Sequence, residues 1–239
     1  MAKIELIFAT SNQSKLGQMA YVVETTGAPV RLVSGRERFG EEASYQERGI
    51  SALEVARLGA TDVAARVGAP AMVEDTTLHV SLLSGAPGLE SKEFLHRFGR
   101  EGLLRLMLSL QHRGALIVSA VAWATPEGTC AIWLNLVRGE IAEEERSTPG
   151  LPAWVAPSPE QPLGGGYNAI FVPEGQTRTL AEIPPDEAMS LGYREPNFRA
   201  LLRFLVGGPG IASLESLQGM LVDCQARRVG QHGSPGEGK

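Results

Sequence analysis

The chain has 239 residues, 43% of them hydrophobic and 21% charged, the composition of a folded globular protein and not of a disordered one. A formal charge of −5 and a pI near 5.5 argue against bulk electrostatic attraction to nucleic acid or anionic lipid, so the expected partner is a small molecule, with no nucleic acid and no membrane. The longest apolar run, Ala115 to Ala124, is too short for a bilayer and no basic-then-apolar leader opens the chain, so a cytoplasmic location is expected.

Ile4 to Ala9 reads as a strand, followed by the polar loop Thr10-Ser11-Asn12-Gln13-Ser14-Lys15 and a helix carrying Leu16, Met19, Ala20 and Val23. Such a loop can cradle phosphate through backbone N–H groups and the helix dipole, with Lys15 as a compact charge. It lacks the GxxxxGK[ST] pattern, and an ordinary helix cap explains it equally well. Glu47 precedes a helix built on Leu53, Ala56, Ala60, Val63 and Val67, which Gly68-Ala69-Pro70 ends. The next strand is expected to stop at Glu74-Asp75, where adjacent carboxylates either cap a turn or hold a metal. If the strands are neighbours, Glu47 and Asp75 face one Mg²⁺, which prefers a few carboxylates, waters and phosphate oxygens.

Phe94 to Leu110 predicts helix, broken at Gly99, and the runs Leu116 to Ala124 and Ala131 to Val137 predict a β-hairpin across Thr125-Pro126-Glu127-Gly128, with Trp123 and Trp133 as packing residues. The mixture without strict βα alternation implies an α/β or α+β fold with a partly antiparallel sheet. Pro149 to Pro162 holds five prolines and reads as a surface loop. Past Gly207, the residues Ile211, Leu214, Leu217, Leu221 and Cys224 predict one amphipathic helix before a polar end. The division is therefore a domain over 1–207, with the Pro-rich insertion at 149–162, and a tail over 208–239. Cys130 and Cys224 show no metal or disulfide spacing, and His79, His96, His112 and His232 show no metal-ligand spacing.

Taken in order, these motifs resemble the inosine triphosphate pyrophosphatase family. The opening loop matches its T-G/S-N-x-x-K; Glu74-Asp75-Thr76-Thr77-Leu78 and Leu82-Leu83-Ser84-Gly85-Ala86-Pro87-Gly88 match its central E/D-D-S/T-G/C-L and A-L-x-G-x-P-G. Val137-Arg138-Gly139-Glu140-Ile141, Ala169 to Gly175 and Thr179 to Ile183 match its later segments, so the likeness runs from about Lys3 to about Val206. The resemblance implies an α/β, elongated two-lobed mixed sheet with flanking helices and a central active-site cleft, in a homodimer. It implies hydrolysis of a nucleoside triphosphate to monophosphate and pyrophosphate with Mg²⁺ as cofactor. Asp75 and Lys15 would be catalytic, and Glu47, Asp75 and Glu74 would face the metal. Thr10, Ser11, Asn12, Gln13, Ser14, Lys15, Thr76, Gly166, Tyr167, Asn168, Tyr193 and Arg194 would bind substrate.

Two departures fall where the family reads the base. Asn168 stands where it has Asp, and in its K-x-x-x-S-H-R segment this chain has Ala188 for the Lys and Tyr193 for the His, keeping Arg194. Altered base selectivity is expected, because a hydrogen-bonding pocket rejects a base that lacks the partner group, and the Pro-rich segment, entering just before Asn168, is either a lid over the base pocket or a tolerated surface loop. The alternatives are a non-catalytic nucleotide-binding protein of the same descent and an enzyme for a diphosphate or nucleotide-sugar. Retention of Lys15, Glu47 and Asp75 together favours catalysis.

Overall fold

A computed structural model describes residues 3–188 and 190–207; the helix expected over Ile211 to Cys224 lies outside the described residues. A parallel start gives way to an antiparallel sheet. β1 (Ile4–Phe8) leads through the polar loop into α1 (Gln13–Thr26), and β2 (Val30–Ser34) returns parallel to β1. A short α2 (Gly35–Phe39) and the 3₁₀ turn Gly40–Ala43 precede α3 (Ala52–Val67), which delivers β3 (Ala71–Val80), also parallel to β1. β4 (Pro87–Gly88) pairs with the end of β3, and α4 (Ser91–Leu106) follows, kinked at Gly99 where φ is 65°. β5 (Gly114–Ala124) and β6 (Cys130–Ile141) form the expected hairpin; β7 (Phe171–Pro173), α5 (Pro185–Ala188) and α6 (Glu195–Leu205) complete the described chain. The seven-stranded sheet runs β2-β1-β3-β5-β6-β7, with β4 added to β3. Among the described residues no helix is long and apolar enough to cross a membrane.

Caps fix both helices that frame the functional region. Asn12 Oδ1 accepts from the Ser14 and Lys15 N–H groups at 2.9 and 3.2 Å, and Gly27 closes α1 in the left-handed region. On α3, Ser51 Oγ accepts from Glu54 N while the Glu54 carboxylate accepts from Ile50 N, and Gly68 ends the helix.

Alternation along the strands assigns the two faces of the sheet. Ala71 and Val73 of β3, with Ala120, Ala122 and Ala124 of β5, pack under Ala56, Ala60, Val63 and Ala64 of α3. Met72, Val121 and Phe8 pack on the other face against Met19 and Val22 of α1 and Phe198, Leu201 and Leu202 of α6. Trp123 and Trp133 both meet Phe204 of α6 edge-on, with ring centroids 5.3 and 5.4 Å apart, which accounts for the two hairpin tryptophans as packing residues.

One expectation is corrected here. β3 does not stop at Asp75 but continues to Val80, because β5 pairs with it at every position from Ala71 to Val80. β1 pairs only with Ala71 and Met72 and then ends. From Val73 to Thr77 that edge of β3 is uncovered, β4 taking it up again at Leu78 and His79, and the chain of β1 turns away into the polar loop. A crevice thus opens beyond the carboxyl ends of the parallel strands, the usual ligand position in such sheets.

Candidate active site

The crevice has a volume of about 750 Å³. Thr10 through Lys15, Glu47, Asp75 and Thr76 line it together with Gly166, Tyr167, Tyr193 and Arg194. Of the residues expected to act, Glu74 and Asn168 do not line it, and the structure gives a reason for each.

Adjacent positions on a strand point to opposite faces, so Glu74 and Asp75 part company. Glu74 turns under the sheet toward α1 and α6 and is 1% exposed. Lys15 Nζ lies 2.9 Å from its Oε2 and donates to its backbone carbonyl at 2.7 Å; Arg194 Nε lies 3.2 Å from its Oε1, which also accepts from Ser119 Oγ at 2.9 Å and from Thr76 Oγ1. Asn197 Nδ2 donates to the Ser119 carbonyl at 2.9 Å and holds that hydroxyl in place. Burial pushes the Glu74 carboxyl up, but the charges of Arg194 and Lys15 outweigh it, and its pKa falls to about 2. Glu74 is thus buried as the counter-ion of Lys15 and Arg194, on the face of β3 opposite Asp75.

Asp75 faces the α3 side with Tyr45 and Glu47. Burial raises its carboxyl; Lys15 opposes this, Glu74 and Glu47 reinforce it, and the pKa rises to about 6. An acid poised near neutrality in a cleft marks a functional group. Glu47, at the rim, pairs with Lys92 Nζ at 2.8 Å, both being exposed. Among the described residues no three His, Cys, Asp or Glu side chains cluster as a ready-made metal cage. Two oxygen donors open to a cleft suit Mg²⁺, which keeps several waters and takes further oxygens from a substrate phosphate.

The polar loop contributes less evenly than its composition implies. The Asn12 side chain is spent on the helix start, its own N–H donates to Thr10 Oγ1 at 3.1 Å, and Ser14 Oγ donates to the Ala153 carbonyl at 3.3 Å. Ser11 and Gln13 side chains remain exposed at the rim, with the positive end of α1 behind them.

The wall of Tyr167, Tyr193 and Arg194 is one connected set. Tyr167 donates to the Ser91 carbonyl at 2.7 Å, which fixes its ring over α4. Tyr193 donates to Asn168 Oδ1 at 3.1 Å and accepts from Arg194 at 3.0 Å, and Arg194 also donates to Gln18 Oε1 at 3.2 Å. Asn168 sits behind this wall, 8% exposed, and donates through Nδ2 to the Val155 carbonyl at 3.0 Å. It does not line the crevice, and its Oδ1 supports the Tyr193 hydroxyl. The amide is what the site requires: a carboxylate there would face the Val155 carbonyl with no proton to share. Asn168→Asp is therefore expected to lower stability by about 3 kcal/mol at neutral pH, through a buried charge against a carbonyl, and urea unfolding measures it.

Segment 149–162 is exposed at half of its residues, as a surface loop is, and also borders the crevice. Val155 and Ala156 are buried against Ala169 and Ala181, and Trp154, Gln161 and Pro162 line the crevice. Arg100 of α4, with a side chain 3% exposed, holds the following turn by donating to the carbonyls of Pro162 at 2.5 Å and Gly166 at 2.7 Å while pairing with Glu145 at 2.7 Å. Tyr45, Lys92, His96, Arg36 and Trp154 also line the crevice and were not expected there. Tyr45 is admitted by Gly59 of α3, where a Cβ would lie 2.7 Å from its ring; a lone glycine inside a helical pattern is the signal that marks such a close approach.

The family model described as the Ham1 family matches residues 6–204. The chain belongs to the Ham1 family. A dITP/XTP pyrophosphatase of Streptomyces coelicolor is 32% identical over 204 residues, covering 82% of this chain and 94% of the relative. One from Methanopyrus kandleri is 31% identical over 202 residues, covering 84% and 94%. A solved nucleoside-triphosphatase / dITP/XTP pyrophosphatase from Mycobacterium abscessus superposes with a TM-score of 0.61 at 28% identity, over 83% of this chain and 99% of that one. The HAM1 protein from Coxiella burnetii gives a TM-score of 0.68 at 23% identity over 86% and 100%, a likeness of fold. The resemblance to the inosine triphosphate pyrophosphatases read from the motifs is borne out, and the Ham1-family match spans every residue of the crevice.

Proposed function

We propose that this Ham1-family chain hydrolyses a nucleoside triphosphate to the monophosphate and pyrophosphate with Mg²⁺, and that its base preference departs from hypoxanthine and xanthine. The observation that carries the reading is Asp75: a partly exposed carboxyl near pKa 6 beside the start of α1, in a chain whose relatives are dITP/XTP pyrophosphatases. The first turn of α1 and the Lys15 ammonium attract the triphosphate. Glu47 and Asp75 would hold Mg²⁺, which supplies positive charge against the phosphate oxygens as charge develops. Asp75 orients a water in line with the α-phosphorus. The water oxygen bonds to that phosphorus, the bond from it to the α–β bridging oxygen breaks, pyrophosphate leaves, and the water's proton passes to Asp75 and then to solvent.

The departure in base preference rests on the Tyr193–Asn168–Arg194 set. Tyr193 already donates to Asn168 and accepts from Arg194, so its hydroxyl has no proton left for a base. Arg194 keeps the remaining donor edge of the wall. A homodimer and a cytoplasmic location belong to the same reading, and light scattering tests the first. The deciding assay incubates the protein with Mg²⁺ and standard, deaminated and modified nucleoside triphosphates, resolving pyrophosphate from orthophosphate. Monophosphate plus pyrophosphate is expected; orthophosphate alone, or no turnover, overturns the reading.

Metal binding should carry the signature of Asp75. A proton competes with the cation for that carboxylate, so Mg²⁺ affinity is expected to rise about tenfold per pH unit below pH 6 and to level off above it. Calorimetric titration from pH 4.5 to 8 checks this, and a flat profile counts against Asp75 as a ligand.

A further inference from the structure

Trp154 is the large aromatic residue of segment 149–162, and its position is built from both sides of the crevice. On the α1 side, Ser14 Oγ donates to the Ala153 carbonyl at 3.3 Å, and the indole packs on Tyr21 with ring centroids 5.2 Å apart. Gly17 leaves room for it: a Cβ there would stand 3.0 Å from Trp154 Cδ1. On the other side, Gly165 N donates to the same Ala153 carbonyl at 2.7 Å, Asn168 Nδ2 donates to the Val155 carbonyl, and Val155 is buried with Ala169 and Ala181. The residues flanking Trp154 are therefore tied to both walls. The indole itself stays half-buried and lines the crevice together with Tyr167, Tyr193 and Arg194.

We propose that Trp154 is a specificity-determining residue whose indole stacks against the purine base of the bound nucleotide. The inference rests on the function proposed above. Its argument is one of position and chemistry. Phosphates are drawn to the first turn of α1, to Lys15 and to the cation-holding carboxylates. Trp154 meets α1 at Gly17 and Tyr21, about 6 to 12 Å further along the helix from Gln13 at 1.5 Å per residue. Its indole at the same time lines the crevice with Tyr167, Tyr193 and Arg194, the wall that faces the base in the function proposed above. An uncharged indole gives nothing to phosphate, but it offers a base a flat apolar surface that covers a two-ring system better than a one-ring one. Because stacking does not depend on hydrogen-bond pattern, it supports base binding in a chain whose Tyr193 hydroxyl is already committed.

The test compares inosine triphosphate with inorganic tripolyphosphate, which has the phosphates and no base. Trp154→Ala is expected to raise KM for inosine triphosphate about tenfold, the usual worth of one base–aromatic stack, and to leave the inhibition constant of tripolyphosphate unchanged. Trp154→Phe, which keeps a ring and the packing on Gly17, should recover most of the loss. In the native protein inosine triphosphate should quench tryptophan fluorescence, tripolyphosphate should not, and Trp154→Phe should abolish the quenching even if Trp154→Ala fails to fold. Native turnover with an unchanged KM in Trp154→Ala, equal effects on both ligands, or quenching that persists in Trp154→Phe overturns this inference alone. Failure of the native protein to bind any nucleotide overturns it together with the function on which it rests.

Discussion

Asp75→Asn is expected to lower kcat/KM by about 10³-fold, in the range for loss of a positioned base, while making the metal-free protein more stable at pH 7 by about 2 to 3 kcal/mol. The two effects share one cause. Burial and the neighbouring carboxylates Glu74 and Glu47 raise the Asp75 pKa from 3.8 to about 6, so the folded state holds its proton more tightly than the unfolded chain. That contribution to stability is complete below pH 3.8 and is lost as pH rises through 6, leaving a poorly solvated negative charge at neutrality. An amide removes the charge and keeps the shape. Urea unfolding at pH 3.5 and pH 7, run without divalent metal, should show the gain only at the higher pH. Retained turnover would sink the chemical assignment, and a loss of stability at pH 7 would show that the carboxylate is held favourably and not under strain.

The architecture was legible because its signals were periodic. The 3-and-4 spacing from Leu53 to Val67 became α3, and the two apolar runs around Thr125-Pro126-Glu127-Gly128 became the longest hairpin of the sheet. The motif order located Lys15, Glu47, Asp75, Tyr167, Tyr193 and Arg194 in one crevice. Side-chain direction was less legible. Thr76, Thr77 and His79 dilute the apolar pattern of β3, which hid its continuation to Val80; with the full strand in view, alternation alone separates Glu74 from Asp75. Asn168 carries a motif position associated with base recognition, but whether an amide faces a ligand or a backbone carbonyl depends on where segment 149–162 packs. Five prolines exclude regular structure without saying what the segment touches, so Trp154 gave no sign of its role. Arg100 was illegible for the same reason, since its partners are carbonyls of a distant turn.

Glu74→Gln is expected to cost about 3 kcal/mol of stability at pH 7 and to reduce kcat/KM by one to two orders of magnitude, although the side chain does not line the crevice. Against burial, which raises it, Arg194 and Lys15 hold the folded carboxyl down at about 2, below its ordinary 4.5, so its stabilising contribution is present above pH 4.5 and is lost as pH falls toward 2. The native protein and the variant should therefore converge in stability on acidification, as the Asp75 pair does but from the opposite side, the native protein being here the more stable one at neutrality. Without the charge, Lys15 and Arg194 lose the carboxylate that both of them meet, so each is drawn toward other acceptors. Lys15 then moves from its place beneath the phosphate side, and Arg194 loosens the hydrogen bonds that fix Tyr193 and, through it, Asn168. One substitution should thus degrade both phosphate and base recognition. The neighbouring acids offer a paired test that a general loss of folding cannot imitate: Asp75→Asn should raise stability and abolish turnover, whereas Glu74→Gln should lower both. Equal signs of the stability change at pH 7 would mean that the two carboxylates do not sit in opposite electrostatic surroundings, one paired and one strained.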